Sequence, residues 1–276
     1  MPFLRFRLLA VAAALLMAGC AASTLRIDTR HQAAVQASRV QYLVLHYTVA
    51  DFDESLRLLT GRQPGVSAHY LVRDDPVRVY RLVEEHRLAR HAGESYWAGA
   101  TPLNASSIGI EIVNPGYSDT PEGRVYAPYP QEQIDTVIRL ASEIVARHGI
   151  RPEHVLGHAD VAPGRKQDPG PQFPWRQLAE AGLILWPDAA QVAERLASHR
   201  RNPLPEVAWF QERLAAVGYR VPRGGELDDA TRAAMSTFQM KYRPADIAGV
   251  PDAETAALLD VVAAPDGMRP LAPTTK

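Results

Sequence analysis

Apolar residues along this chain follow two periods. Val40-Gln41-Tyr42-Leu43-Val44-Leu45-His46 is a β-branched and aromatic run, the pattern of a buried strand, and His46 closes it. Residues 68–72 and 79–83 have the same character and flank the turn-forming Arg73-Asp74-Asp75-Pro76, which predicts two joined strands. Farther on, Ile108, Ile110 and Ile112 alternate, so Glu111 falls on the opposite face, and Gly109 within that strand predicts close approach of another group. At residues 130–148 the period changes to three and four: Ile134, Val137, Ile138, Ala141, Ile144 and Val145 form one stripe of a helix, ended by Gly149 with Pro152 beyond. A shorter helix is expected at 51–60, with Asp51 as its cap and Gly61 past its end. His148 and His154 are expected at the surface, and Val155-Leu156 as a short strand. Strands alternate with helices, which predicts an α/β domain with a mixed central β-sheet flanked by helices.

The pattern then becomes wholly helical. Residues 189–198 are read as the last helix of the first domain, and the Pro- and Arg-rich 201–205 as a linker. Helices are expected at 207–217, 229–242 and 252–262, a small C-terminal three-helix domain at 206–264, with 265–276 as a disordered tail. Asp228-x-x-Thr231 and Asp252-x-x-Thr255 form a partial internal repeat.

Composition narrows the function classes. A formal net charge of −1 over 276 residues gives no footprint for a nucleic-acid partner. The single cysteine, Cys20, excludes an intramolecular disulfide. It follows Arg5, Arg7 and the apolar 8–17, a run too short to span a bilayer, and the small residues Ala18-Gly19. Residues 1–20 thereby resemble the signal peptide and lipobox of bacterial lipoproteins, although Met17 stands where that family usually has Leu. The resemblance implies lipidation of Cys20 and, with Ala21 next, anchoring in the outer membrane facing the periplasm. Residues 21–38 then read as a tether, and 39–200 as the first domain.

The candidate chemistry is concentrated in residues 157–175, a Pro- and Gly-rich segment expected to be an irregular surface loop. It holds His158, Asp160, Arg165, Lys166 and Asp168, and ends Phe173-Pro174-Trp175. Two imidazoles and a carboxylate are a ligand set of catalytic zinc sites, and His46 with His158 and Asp168 supplies one. Nothing local shows that His46 meets the loop. The strand ending in His46, Ser107-Ile108-Gly109-Ile110-Glu111, Gly157-His158-Ala159-Asp160 and Arg165-Lys166-Gln167-Asp168-Pro169-Gly170 together resemble the zinc-dependent N-acetylmuramoyl-L-alanine amidases related to T7 lysozyme and the peptidoglycan recognition proteins. That resemblance implies Zn2+ on His46, His158 and Asp168, Glu111 as general base or acid, Lys166 as oxyanion stabiliser, and muropeptides as substrate. His91 and Asn104 match cleft positions, where contact with substrate and a structural hydrogen bond are equal alternatives; Asp160 is assigned a supporting role. The pattern from Phe210 to Leu258, within 206–264, resembles the peptidoglycan-binding three-helix module, with binding left open, and a monomer is expected. A peptidoglycan-binding lipoprotein with a decayed enzyme domain is the competing reading, and the complete ligand set argues against it. An iron oxygenase using His158-x-Asp160 finds its second histidine only at His199, in a linker.

Overall fold

The computed structural model describes residues 25, 27–63, 65–121 and 123–272. Cys20, the expected lipidation site, and the signal segment lie outside them. The chain divides into two units at Ala37 and Ser38. In the first, the described residues form no helix or strand, and Asp28 pairs with Arg30.

The second unit is built on a five-stranded sheet. Strands β1 (Tyr42–Tyr47), β2 (Tyr70–Arg73), β3 (Arg78–Arg81), β4 (Ser107–Ile112) and β7 (Val155–Gly157) lie in the order β3-β2-β4-β1-β7. Only the β2–β3 pair is antiparallel. Every residue of β1 is buried, as expected of a central parallel strand covered on both faces. Leu43, Leu45, Ile108, Ile110 and Ile112 point to one face, which is covered by α2 (Gln131–His148) through Ile134, Val137, Ala141 and Ile144. Gly149 ends that helix at φ 66°, its N–H closing on the carbonyl of Val145. Helix α1 (Phe52–Thr60) begins where the Asp51 carboxylate accepts the Glu54 N–H.

The other sheet face carries Tyr42, Val44 and His46 from β1, and Ser107, Gly109 and Glu111 from β4. Its apolar members pack in one cluster with the helical part of the chain. That part comprises α5 (Ala189–Arg201), α6 (Val207–Val217), α7 (Asp229–Tyr242) and α8 (Ala253–Val262). Phe210, Leu214, Tyr219 and Phe238 share this cluster with Tyr42, Val44, Trp97 and Leu156. The Asp-x-x-Thr repeat extends to a pair of glutamines. Gln211 bonds the Thr231 hydroxyl, the Glu226 carbonyl and the Gly225 N–H; Gln239 bonds Thr255, Val250 and Gly249 in the same way. Each buried carboxamide thereby stitches the end of one loop to the start of the next helix.

The structure departs from the sequence reading in five places. Segment 157–175 turns inward: it opens with a one-turn helix, α3 (His158–Val161), closes into α4 (Trp175–Glu180), and buries His158, Asp160, Asp168, Phe173 and Trp175. Proline and glycine content constrains backbone geometry, not burial. His154 is buried rather than superficial, its Nδ1 on the Gln41 carbonyl and its ring 4.3 Å from that of Tyr42. Helix α5 runs on to Arg201, into the expected linker, and joins the helical part through a 2.8 Å contact between His199 and Asp260 of α8. Part of the expected tail joins the fold: β9 (Met268–Arg269) pairs with β8 (Trp186–Pro187), and Arg269 meets Asp188. A hairpin, β5 (Tyr117–Thr120) with β6 (Gly123–Tyr126), appears where the sequence predicted no element.

Candidate active site

Three parallel strands end side by side and deliver the candidate residues. His46 and Glu111 are register partners near the carboxyl ends of β1 and β4. β7 runs directly into His158 at the start of α3. β1 lies between β4 and β7, so connections leave to both sides of it, the arrangement that opens a crevice at the carboxyl edge of a parallel sheet. The Ala159 N–H donates to the Asp168 carbonyl at 2.8 Å and brings the loop back over the same edge.

His46 Nδ1 and His158 Nδ1 lie 2.9 Å apart, and each is 3.0 Å from Asp168 Oδ2. All three residues are buried. Their outer contacts fix the protons. The Ser107 hydroxyl donates to the Leu103 carbonyl at 2.7 Å, so it accepts from His91 Nε2 at 3.1 Å. His91 Nδ1 is then an acceptor for His46 Nε2–H at 3.0 Å, which leaves His46 Nδ1 bare. His158 Nε2 donates to the Ala92 carbonyl at 3.1 Å, so in the neutral ring Nδ1 is the nitrogen that carries the lone pair. With both rings neutral, two nitrogen lone pairs and a carboxylate oxygen converge on one point, an arrangement that a metal cation satisfies. A tetrahedral ion with bonds of about 2.0–2.1 Å separates its ligand atoms by ~3.3 Å, within a few tenths of an ångström of the spacing found. The residues present fit a zinc-type metal.

The electrostatics agree. Burial pushes the His46 imidazole down to about 4, with the charge of His158 adding and Asp168 opposing, so the ring is neutral at pH 7. Burial alone would raise the Asp168 carboxyl, but the pull of His158 and His46 toward their protonated forms in the metal-free site outweighs it and holds Asp168 well below the usual carboxylate range, so the carboxylate stays ionised. Glu111 behaves in the opposite way. Its Oε1 lies 4.0 Å from His46 Nδ1, and its Oε2 is buried without a hydrogen-bond partner among the described residues. Burial and the negative charge of Asp168 push its carboxyl well above the ordinary range, with Lys166 opposing. The cleft that exposes these groups has a volume of about 340 Å³ and is lined by Tyr47, His91, Glu111, Lys166, Asp168 and their neighbours.

The sequence-derived candidates thus fall into two groups. His46, His158, Asp168, Glu111 and Lys166 share the cleft or its floor. His91 also lines the cleft, but both its ring nitrogens are engaged, by His46 and Ser107; the Asn104 carboxamide oxygen holds the N–H groups of His91 and Ala92, a backbone-fastening role away from the cleft lining. Ser107, which sets the tautomers of His91 and His46, was not singled out from the sequence. Nor were Tyr219 and Lys241, whose polar atoms meet Asp160; they lie more than 50 residues downstream of it, and no local motif marks them.

Comparison with known proteins agrees with this geometry. Residues 36–171 match the family model described as N-acetylmuramoyl-L-alanine amidase. Residues 203–259 match a peptidoglycan binding domain. The chain is 44% identical over 265 residues to the N-acetylmuramoyl-L-alanine amidase AmiD of Escherichia coli, spanning 91% of this chain and 95% of that protein. A solved structure of E. coli AmiD, in complex with anhydro-N-acetylmuramic acid-L-Ala-D-gamma-Glu-L-Lys, superposes with a TM-score of 0.78 over 87% of this chain and 94% of the other. AmpDh3 of Pseudomonas aeruginosa, in complex with an anhydromuramic pentapeptide, does so with a TM-score of 0.77 at 37% identity, over 87% of this chain and 97% of that one. With metal-type ligands, carboxylate and cleft in place and these likenesses running nearly end to end, the chain belongs to the N-acetylmuramoyl-L-alanine amidase family.

Proposed function

We propose that this chain is a zinc-dependent peptidoglycan amidase that hydrolyses the amide between the lactyl group of N-acetylmuramic acid, ordinary or anhydro, and L-alanine of the stem peptide. The observation that carries the reading is the convergence of bare His46 Nδ1, bare His158 Nδ1 and Asp168 Oδ2, with Glu111 beside them. A zinc ion held there would polarise the scissile carbonyl and lower the pKa of water to roughly 7.

The remaining work falls to the protein. Glu111 takes a proton from the attacking water and passes it to the departing amine of L-alanine. A carboxyl whose pKa is raised by burial and by Asp168 holds that proton between the two transfers. Lys166, on the cleft wall, supplies positive charge to the oxyanion that forms as the carbonyl is attacked. His91 and Ala92 keep the two imidazoles in the tautomers that leave Nδ1 free. E. coli AmiD and AmpDh3 were captured with anhydromuramic peptides, and this likeness supports both the substrate class and a place in the cell envelope. The lipobox-like segment ending at Cys20 supports anchoring of the mature chain to the outer membrane.

Mass spectrometry of muropeptides incubated with the zinc-loaded protein tests the assignment of the bond. The expected products are a peptide with a free L-alanine amine and a muramic acid with a free lactyl carboxylate. Cleavage at any other bond, or none, contradicts the reading.

A further inference from the structure

Asp160 lies two residues beyond His158 on α3, and its carboxylate is buried. Oδ2 accepts the Gly157 N–H at 2.8 Å and so closes the single turn that presents His158. Its other partners come from the helical part of the chain. Tyr219 donates its hydroxyl to Oδ1 at 2.7 Å, and Lys241 donates from Nζ to Oδ2 at 3.1 Å. The same ammonium lies 4.2 Å from the centre of the Trp175 ring, at the far end of the loop. Midway along it, Gly164 at φ 77° backs onto Ala233, where an added Cβ would lie 3.2 Å from the Ala233 methyl. Ala233 and Lys241 are two i→i+4 steps apart on α7 and so share one face. That face touches the loop at its beginning, middle and end.

We propose that the helical module is a working part of the catalytic centre, with Lys241 and Tyr219 as positioning residues that hold Asp160 and, through it, His158. The proposal rests on the reading of His158 as a metal ligand. A buried carboxylate that loses a donor must either stay unpaired, which is costly, or move toward water. Asp160 can move only by opening the turn that Gly157 N–H closes. The Ala159 N–H of that turn holds the Asp168 carbonyl, so the disturbance reaches both ligands supplied by the loop. Tyr219 is fixed in turn by the sheet-side domain: the Ala98 N–H donates to the Gly218 carbonyl at 2.9 Å, and the Trp97 ring packs edge-on at 5.0 Å from that of Tyr219.

Full-length K241M and Y219F test this against wild type. Zinc affinity is read by competition with a chromophoric chelator, ligand geometry by the visible absorption of the cobalt(II)-substituted protein, and turnover separately as kcat and KM. The expected result is a ~10- to 100-fold loss of zinc affinity in each variant, an altered cobalt spectrum, and a lower kcat at unchanged KM. A merely structural contact would lower the melting temperature and leave the zinc constant and the cobalt bands of the folded protein unchanged; that result overturns the proposal. If K241M does not fold, Y219F, which loses only one hydroxyl, decides it. A wild-type chain that binds no zinc overturns the metal-centre reading itself, and the proposal with it.

Discussion

Among single residues, Glu111 stands apart because one of its carboxylate oxygens is buried with no hydrogen-bond partner among the described residues, beside the metal-type ligand cluster. An orphaned acceptor in such a place is suited to a transferable proton. Glu111→Gln keeps the shape and removes the transfer; kcat should fall by ~10²–10⁴ while zinc content stays unchanged. Loss of zinc with the activity would instead make Glu111 part of the metal's support. Lys166→Met should lower kcat by ~10²–10³ with KM and fold unaffected, and a change confined to KM would assign Lys166 to ground-state binding. The five central residues were legible in the sequence because each sits in a recognisable strand or loop motif. Ser107, Tyr219 and Lys241 were not, because their roles exist only through what they touch: a histidine 16 residues upstream of Ser107, and an aspartate 59 and 81 residues before the other two.

Among elements, the strand β4 shows how tightly the site is backed. Gly109 faces the His91 ring, and a Cβ added there would overlap the ring carbon Cγ. Gly109→Ala should therefore destabilise the protein by about 1–3 kcal/mol and displace His91 from His46; an unchanged melting temperature in thermal denaturation would contradict this close approach. The cap Asp252, which accepts from the N–H groups of Glu254 and Thr255, should cost about 1 kcal/mol when replaced by alanine, measured as a lowered urea midpoint. Elements that bury a periodic face, such as β1, β4, α2, α6 and α7, could be read from the sequence to within a residue or two. The hairpin β5–β6 could not: its residues are almost all exposed, so no alternation marks it. Helix α4 and the inward course of the loop escaped for a related reason, since their burial depends on partners from α7 and the sheet.

Across the whole molecule, the cluster that joins Tyr42, Val44, Trp97 and Leu156 to Phe210, Leu214, Tyr219 and Phe238 makes the amidase sheet and the helical module share one core. The sequence reading separated them at residues 201–205, because composition marks a linker but does not reveal what packs across it. Calorimetry should therefore show one cooperative unfolding transition for the full chain; two resolved transitions would contradict a shared core. The metal-free protein should also be acid-sensitive in a defined direction. Burial lowers the pKa of His46, His69, His91 and His154 below the ordinary histidine value. The unfolded chain then binds more protons than the folded one between that value, about 6.5, and the depressed native values. Stability is present above pH ~6.5 and is lost as pH falls through that window toward 4. Glu111, whose pKa is raised, opposes this, but one carboxyl stands against four imidazoles. A urea midpoint that stays level from pH 7 to pH 5 would contradict the buried neutral histidines. The central claim, that His46, His158 and Asp168 form a metal centre for amide hydrolysis, is tested most directly by titrating the chelated protein with zinc while following bound metal and muropeptide cleavage in the same samples. Cleavage should be absent without metal and should rise in proportion to bound zinc until a single equivalent is taken up. Cleavage at full rate in the metal-free protein, or none at full zinc occupancy, would contradict it.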